Sequence, residues 1–269
     1  MKIRAGFTLG YDCPQPTPML LVLKVHPSRC ADLLTGDSLT FDPPIAAADY
    51  TDSFGNTCTR IVAPAGVTTI SSSFEILDSG EPDEVPEDAK QHEIMDLPDD
   101  VLLFLLGSRY CDTDRLADFA GALFNDTPPG WARVQAICDY VHKHIVFNYM
   151  KADSWRTAYG GYSERTGVCR DFAHLAITLC RCMNIPARYC TGYLSDVGTP
   201  LPHSPGDFAA WFEAFLGGQW HMFDPRNNVP RIGRVLMARG RDAADVAITT
   251  TFGPNTLQNF RVWTDEIAG

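Results

Sequence analysis

The pattern of hydrophobic and polar positions changes near the middle of the chain. Residues 1–77 hold short segments rich in Val, Ile, Thr and Phe, separated by Pro, Gly and Asp, which is typical of strands joined by turns. Residues 78–100 are acidic and proline-bearing, which predicts a solvated linker with little core of its own. We therefore predict a β-rich N-terminal domain with its linker over residues 1–100, packed as a sandwich or small barrel, and a second domain over residues 101–269.

Helical periodicity opens the second domain. Thr113 is placed to cap a helix over residues 114–124, and a second helix is predicted from about residue 127 to about residue 146. The apolar positions of this second helix recur at the spacing of one face: Val134, Ile137, Cys138, Val141 and Ile145. His142 and His144 lie two positions apart on it, so they are expected to face different sides and to share no metal.

From residue 166 onward the pattern is one helix followed by strands. The helix is predicted over residues 169–183, with Asn184 and Pro186 as its stop. The extended segments that follow are ARYCTGYL (187–194), DFAAWFEAFL (207–216), QWHMFDP (219–225), DVAITTTFG (245–253) and FRVWTDEI (260–267). A helix on one side of an antiparallel sheet predicts an α+β fold class.

Composition and charge narrow the classes of partner. The 269 residues are 45% hydrophobic and carry 22 Lys and Arg against 33 Asp and Glu, a formal net charge of −11. This acidity, without a basic patch interleaved with aromatic residues, argues against nucleic acid as a partner. No apolar run approaches the roughly 18 residues of a membrane span, and the N-terminus lacks the layout of a signal peptide. We therefore predict a cytoplasmic protein with no membrane partner.

The nine cysteines do not form a pattern typical of disulfides or metal sites. A disulfide framework would accompany an export signal. Only Cys180 and Cys182 are close in sequence, and side chains two apart on a helix point about 200° apart. Most of the cysteines are therefore predicted to be small buried hydrophobic residues, and at most one needs a chemical role.

Cys169 is the candidate for that role. Gly167 allows a tight turn before the helix, and Cys169 then lies in the first turn, where unpaired N–H groups and the helix dipole favour negative charge. This position predicts a thiol pKa lowered toward neutrality and N–H groups able to hold a developing oxyanion. From position alone, a buried inert cysteine remains the alternative. Asp224 ends a strand before a proline, where it could accept an imidazole N–H or simply start a turn.

Three motifs carry a specific resemblance: GVCRDF at the helix start, AWFE on a following strand and FDP after the next, in that order. With these motifs, residues from about 110 to about 255 resemble the transglutaminase-like superfamily of cysteine enzymes, in its bacterial branch. The resemblance implies a papain-like α+β core with a Cys-His-Asp triad, preceded by a β-rich region. It implies Cys169 as the nucleophile, Asp224 as the orienting carboxylate and residue 209 as the histidine, but position 209 is Ala209.

No other histidine is expected to replace the missing base. His174 follows Cys169 by five residues, about 140° around the same helix, and should not face the thiol. His221 is three residues from Asp224 on one strand and should point to the opposite face. His203 lies in a proline-rich loop and is not expected to serve as the base, because catalytic groups are usually held by rigid elements.

Two origins fit Ala209. One is a deliberate His-to-Ala substitution, and the other is a natural pseudoenzyme. The deliberate substitution is favoured because the motif residues Cys169, Asp224 and Trp211 are all present. A decayed site should have lost some of them. Trp211 and Trp155 are expected to contribute to substrate binding.

The predicted function is cysteine-dependent acyl transfer, inactive or crippled in the chain as written. The acyl donor is expected to be a peptide, a protein or a small molecule, with no cofactor. Water would resolve the acyl-enzyme in a peptidase or amidase and an amine would do so in a transglutaminase; hydrolysis ranks first because water needs no acceptor site. The alternatives are a non-catalytic peptide- or protein-binding module and a structural α+β domain whose thiol pKa stays near ~8.5.

Overall fold

Fourteen strands and four α-helices form the described part of the chain, residues 1–201 and 206–267 of the computed structural model. The helices are Ala117–Phe124 (α1), Trp131–His144 (α2), Ala158–Glu164 (α3) and Cys169–Cys182 (α4). The strands are Lys2–Cys13 (β1), Thr17–Leu21 (β2), Thr40–Asp42 (β3), Ala48–Thr51 (β4), Thr57–Ala63 (β5), Gly66–Leu77 (β6), Val146–Phe147 (β7), Thr166–Gly167 (β8), Ala187–Leu194 (β9), Ala209–Leu216 (β10), Gln219–Phe223 (β11), Arg234–Gly240 (β12), Thr249–Thr251 (β13) and Thr256–Ile267 (β14). No helix in this part of the chain is long and apolar enough to cross a membrane.

The β-rich unit consists of two four-stranded sheets, with orders β14-β1-β6-β3 and β13-β2-β5-β4. Alternate residues of β1 point into a shared core, as the two-residue period of a strand requires: Ile3, Ala5, Phe7 and Leu9 are fully buried. Side chains from β9 and β12, such as Tyr193 and Met237, join the same core. The β-rich unit therefore packs directly against the sheet of the second domain.

The last two strands, β13 and β14, belong to this β-rich unit. Strand β14 pairs with β1 from Lys2 opposite Ile267 to Asp12 opposite Thr256, and β13 pairs with β2. The predicted boundary at residue 100 assigned both C-terminal strands to the second domain, but their pairing places them in the β-rich sheets. Hydrophobic periodicity identifies a strand and its buried face and carries no information on a remote pairing partner.

The second domain has the predicted α+β architecture. Its antiparallel sheet has the order β11-β10-β9-β12, and helix α4 packs on one face of it. The even-numbered residues of β10 meet α4 in one hydrophobic core: Ala210, Phe212, Ala214 and Leu216. Helix α2 covers α4 through the predicted stripe, all of which is buried. The fold class, a helix opened by Cys169 on an antiparallel sheet with a β-rich region before it, is therefore confirmed.

Several local features differ from the prediction, which also did not include α3, β7 and β8. Thr113 opens a short 3₁₀ segment, Thr113–Arg115, and the α-helix begins only at Ala117. Strand β12 was not predicted; its run of buried Val, Leu, Met and Ala is a signal that a search for fully buried strands could have found. Six of the nine cysteines are buried, as expected for small hydrophobic residues.

A buried asparagine ties the β4–β5 hairpin to β12. The side chain of Asn56 is fully buried, donates to the carbonyl of Arg239 and accepts from its N–H, both at 2.8 Å. We expect Asn56→Ala to lower the free energy of unfolding by about 2 kcal/mol, because it strands two backbone groups of β12 without partners. Urea unfolding would measure this, and Asn125→Ala, at an exposed position, should change it by no more than about 0.5 kcal/mol. Equal effects of the two variants would contradict the role of Asn56.

Candidate active site

Helix α4 begins at Cys169 because a carboxylate in its first turn caps it. Asp171 accepts the backbone N–H of Val168 at 2.8 Å and is held by Arg156 Nη1 at 3.1 Å. A Cβ at Gly167 would meet the Asp171 carboxylate at 2.5 Å, so glycine is the residue that lets this cap close. The backbone N–H of Cys169 lies in the first turn and has no acceptor within the helix, as at any helix start.

The thiol lies against the start of β10. Cys169 Sγ is 4.0 Å from the carbonyl oxygen of Phe208 and receives the backbone N–H of Ala210. These two backbone groups flank residue 209 along the chain. Cys169 and Ala209 line the same cleft of about 330 Å³, together with Tyr149, Leu194, Asp196, Thr199, Pro200, Gly206, Asp207, Phe208, Arg226, Asn227, Val229 and Arg231.

The thiol is not activated in the chain as written. Burial and then the nearby charge of Asp207 raise the pKa of Cys169 from 9.0 to about 11, against a smaller lowering by Arg226. The prediction of a pKa lowered toward neutrality is therefore wrong for this chain. A helix start favours the thiolate only modestly, and without an imidazolium beside it the cost of burying the charge dominates.

Asp207 is the acidic neighbour of the thiol. Burial raises the pKa of its carboxyl, which accepts a hydrogen bond from the hydroxyl of Tyr149. We expect Asp207→Asn to lower the pKa of Cys169 and to speed its alkylation at pH 9 about three-fold, because the amide keeps the hydrogen bond and removes a negative charge. The pH dependence of iodoacetamide labelling at Cys169 checks this. A thiol pKa unchanged by the substitution would show that Asp207 does not act on the sulfur.

Asp224 is held by a network behind the cleft. The carboxylate is buried and accepts Arg234 Nη2 at 2.9 Å, Asn227 Nδ2 at 2.7 Å and the backbone N–H of Asn227 at 3.0 Å. Burial alone would raise the pKa of Asp224, but the Arg234 guanidinium and the Asn227 hydrogen bonds hold it below its ordinary value. Asp224 therefore stays ionised, as an orienting carboxylate must.

The acidic linker contributes to this network. Asp83 accepts Arg234 Nε through both oxygens, at 3.0 and 2.9 Å, and also accepts the backbone N–H of Arg231. Arg234 thus joins the linker to Asp224, and the linker segment is not merely solvated. Neither Arg234 nor Asp83 was predicted as a site residue, since nothing local in the sequence marks an ion pair between positions 151 residues apart.

Four of the described histidines contact groups other than the thiol. His174 is buried, accepts the N–H of Ala243 at 3.1 Å and stacks on Tyr110. His221 approaches the carbonyl of Leu216 at 3.2 Å. His142 and His144 bind different partners, since the first contacts the carbonyls of residues 225 and 226 and the second that of residue 162. His203 lies outside the described residues.

The two tryptophans do not line the thiol cleft. Trp211 is only 1% exposed and lies beneath Arg234, whose Cζ is 5.1 Å from the indole centroid. The predicted substrate contact of Trp211 is therefore corrected: Met222 and Leu236 pack around it and it supports the sheet behind the site. Trp155 is 76% exposed on a loop outside the cleft, and its part in substrate binding stays a prediction.

Comparisons with known proteins agree with this architecture. The family model of the transglutaminase-like superfamily matches residues 118–225. The solved structure named "Putative Cysteine Protease" from Cytophaga hutchinsonii is 31% identical, covers 100% of this chain and 91% of its own, and has a TM-score of 0.86. An uncharacterized Mycobacterium leprae protein is 41% identical over 87 residues, and the match spans 30% of this chain and 30% of that protein.

A more distant likeness is to the periplasmic domain of TgpA from Pseudomonas aeruginosa. That structure is 18% identical, covers 82% of this chain and 76% of its own, and has a TM-score of 0.39. The relative from Cytophaga hutchinsonii extends over the whole chain, and the family model covers Cys169, Ala209 and Asp224. On these grounds the chain belongs to the transglutaminase-like superfamily.

Proposed function

We propose that this chain carries the site of a cysteine-dependent acyl-transfer enzyme and that Ala209 leaves it inactive or crippled as written. The observation that carries the proposal is the place of the Cys169 sulfur, between the Phe208 carbonyl and the Ala210 N–H. A histidine at position 209 would stand beside this thiol and in front of an ionised carboxylate, Asp224.

The proposed reaction begins with attack of Cys169 Sγ on the acyl carbon of an amide, ester or thioester. An imidazole at position 209 would take the thiol proton and pass it to the leaving amine, alcohol or thiol. Asp224 would accept the other imidazole N–H and fix its tautomer. The N–H of Cys169, free at the helix start, would donate to the oxyanion of the tetrahedral intermediate.

Hydrolysis is the proposed second step. Cys169 is partly exposed and lies in an open cleft, so water can reach an acyl group on its sulfur. Water would add to the thioester carbon, the carboxylic acid would leave, and the thiol would be restored. Transfer to an amine is the rival second step, and it would require an acceptor site beside the same carbon.

Mass spectrometry of the Ala209→His variant tests the proposal. The variant, incubated with amide, ester and thioester donors, should acquire the acyl mass on Cys169 and then release it to water. The double variant Ala209→His, Cys169→Ser should do neither. Release as an amide when a primary amine is added would favour transfer over hydrolysis, and no acylation by any donor class would count against the enzyme proposal.

A non-catalytic binding module is the second candidate, and one observation favours it. With a pKa of about 11, Cys169 is a neutral thiol near pH 7, so the cleft as written can hold a peptide without attacking it. In this case Ala209→His would leave Cys169 unreactive. The chain as written and its Cys169→Ser variant would bind peptides with the same affinity.

A further inference from the structure

The linker between the two domains places one carboxylate in the network behind the thiol. The side chain of Asp83 is only 11% exposed, whereas the next two residues, Glu84 and Val85, are exposed. The backbone N–H of Asp83 donates to the carbonyl of Arg231 at 2.9 Å, and its carboxylate accepts the backbone N–H of Arg231 at 3.0 Å. These two hydrogen bonds fix Asp83 against the segment that leads into β12.

The guanidinium of Arg234 lies between two carboxylates. Its Nε donates to both oxygens of Asp83, at 3.0 and 2.9 Å, and its Nη2 donates to Oδ2 of Asp224 at 2.9 Å. The guanidinium is planar and rigid, so a partner on Nε also sets the direction of Nη2. Asp83 therefore determines how Arg234 meets Asp224.

The two oxygens of Asp224 are used unequally. In the part of the chain that the structure describes, Oδ2 accepts two donors, Arg234 Nη2 at 2.9 Å and Asn227 Nδ2 at 2.7 Å. Oδ1 accepts one donor there, the backbone N–H of Asn227 at 3.0 Å. A carboxylate oxygen has two lone pairs, so Oδ1 is the oxygen with a lone pair left for a further donor.

We propose that Asp83 is a positioning residue of the acyl-transfer site: through Arg234 it holds Asp224 so that Oδ1 accepts the N–H of an imidazole at position 209. The inference rests on the proposed acyl-transfer function, to which it adds a residue of the linker. Asp83 also carries a negative charge that offsets part of the Arg234 charge. Removing the Asp83 charge leaves Arg234 acting on Asp224 alone, which weakens Asp224 as an acceptor and disfavours the imidazolium.

Three further groups interact electrostatically with Asp224. They are Arg231 before β12, the thiol of Cys138 on α2 and the thiol of Cys169 on α4. Arg231 and Cys138 are the same in every variant compared below. The Cys169 thiol is replaced by the neutral hydroxyl of serine in all of them, so its titration does not enter the comparison.

The pKa of the imidazole in the double variant Ala209→His, Cys169→Ser tests the proposal without requiring turnover. NMR would follow the one histidine resonance that this variant adds to the spectrum. Adding Asp83→Asn, which keeps the shape of the side chain, should lower the imidazole pKa by about 0.5, as expected for one charge roughly 10 Å away. Asp83→Glu, which keeps the charge, should restore most of the pKa. Asp224→Asn should lower it further than Asp83→Asn, because it removes the charge that contacts the imidazole.

Glu84→Gln is the matched control, because it removes the same charge one residue away at an exposed position. It should leave the imidazole pKa unchanged, since an exposed charge is screened by solvent and salt. Equal effects of Asp83→Asn and Glu84→Gln, or no effect of Asp83→Asn, would overturn the proposal. An imidazole pKa that responds to Asp83→Asn supports the placement of Asp83 even where Ala209→His acquires no acyl group, a result that would count against the enzyme proposal alone.

Discussion

Ala209→His is expected to raise the reactivity of Cys169 near pH 7 by about 10²–10⁴-fold, the usual contribution of a positioned acid–base group. In the chain as written, a thiol with a pKa of about 11 is almost wholly protonated at neutral pH. An imidazole beside the sulfur accepts its proton, and the resulting imidazolium stabilises the thiolate by charge. The substitution therefore supplies both a base and a counter-ion.

The alkylation rate of Cys169 should depend on pH differently in the unchanged chain and in Ala209→His. Alkylation of Cys169 in the unchanged chain should rise with pH through the raised pKa of about 11, since only the thiolate reacts. In Ala209→His a rise at much lower pH should appear, because the thiolate–imidazolium pair forms once the pH exceeds the lowered thiol pKa. Labelling rates measured from pH 5 to pH 11 would separate the two profiles.

Ala209→Gln is the control for size and polarity. Glutamine fills a similar volume, forms hydrogen bonds and does not titrate, so its profile should remain that of the unchanged chain. A glutamine variant as reactive as the histidine variant would contradict acid–base help from position 209. A histidine variant that reacts more slowly than the unchanged chain would show that residue 209 does not face the sulfur.

The candidate nucleophile and its helix were predictable because their signals are local. A glycine, a cysteine and a helical period within a few residues placed Cys169 at the start of α4, and the period-two pattern placed β9, β10 and β11. The confirmed resemblance rests on the same short motifs. These features depend on neighbours in sequence, and sequence patterns report such neighbours well.

The features that were missed depend on distant neighbours. The pairing of β14 with β1 joins the two ends of the chain, and Asp83 meets Arg234 from 151 residues away. The thiol pKa was predicted in the wrong direction because burial and Asp207, which only the folded chain brings to the sulfur, outweigh the helix start. Burial and electrostatics of this kind are properties of the packed structure.

Arg234→Met is expected to lower the free energy of unfolding by about 3–5 kcal/mol, the cost of leaving a buried charge without its partner. Arg234 is 5% exposed and pairs with both Asp224 and Asp83, at 2.9 Å each. Methionine fills much of the volume but offers no donor. Two carboxylates then lose their counter-charge, and the one on Asp224 is buried.

Chemical unfolding at several pH values would test the role of this pair. The Arg234 charge holds the pKa of Asp224 below its ordinary value, so the stability it contributes is present above about pH 4 and is lost as the pH falls through the lower folded-state pKa. The difference between the chain and Arg234→Met should therefore be largest near pH 7 and narrow in acid. Adding Asp224→Asn should recover part of the loss, since it removes the stranded charge.

Arg4→Met is the control, because it breaks an exposed ion pair with Glu75. It should lower the free energy of unfolding by less than about 1 kcal/mol. An equal loss in Arg234→Met would contradict a buried network behind the thiol.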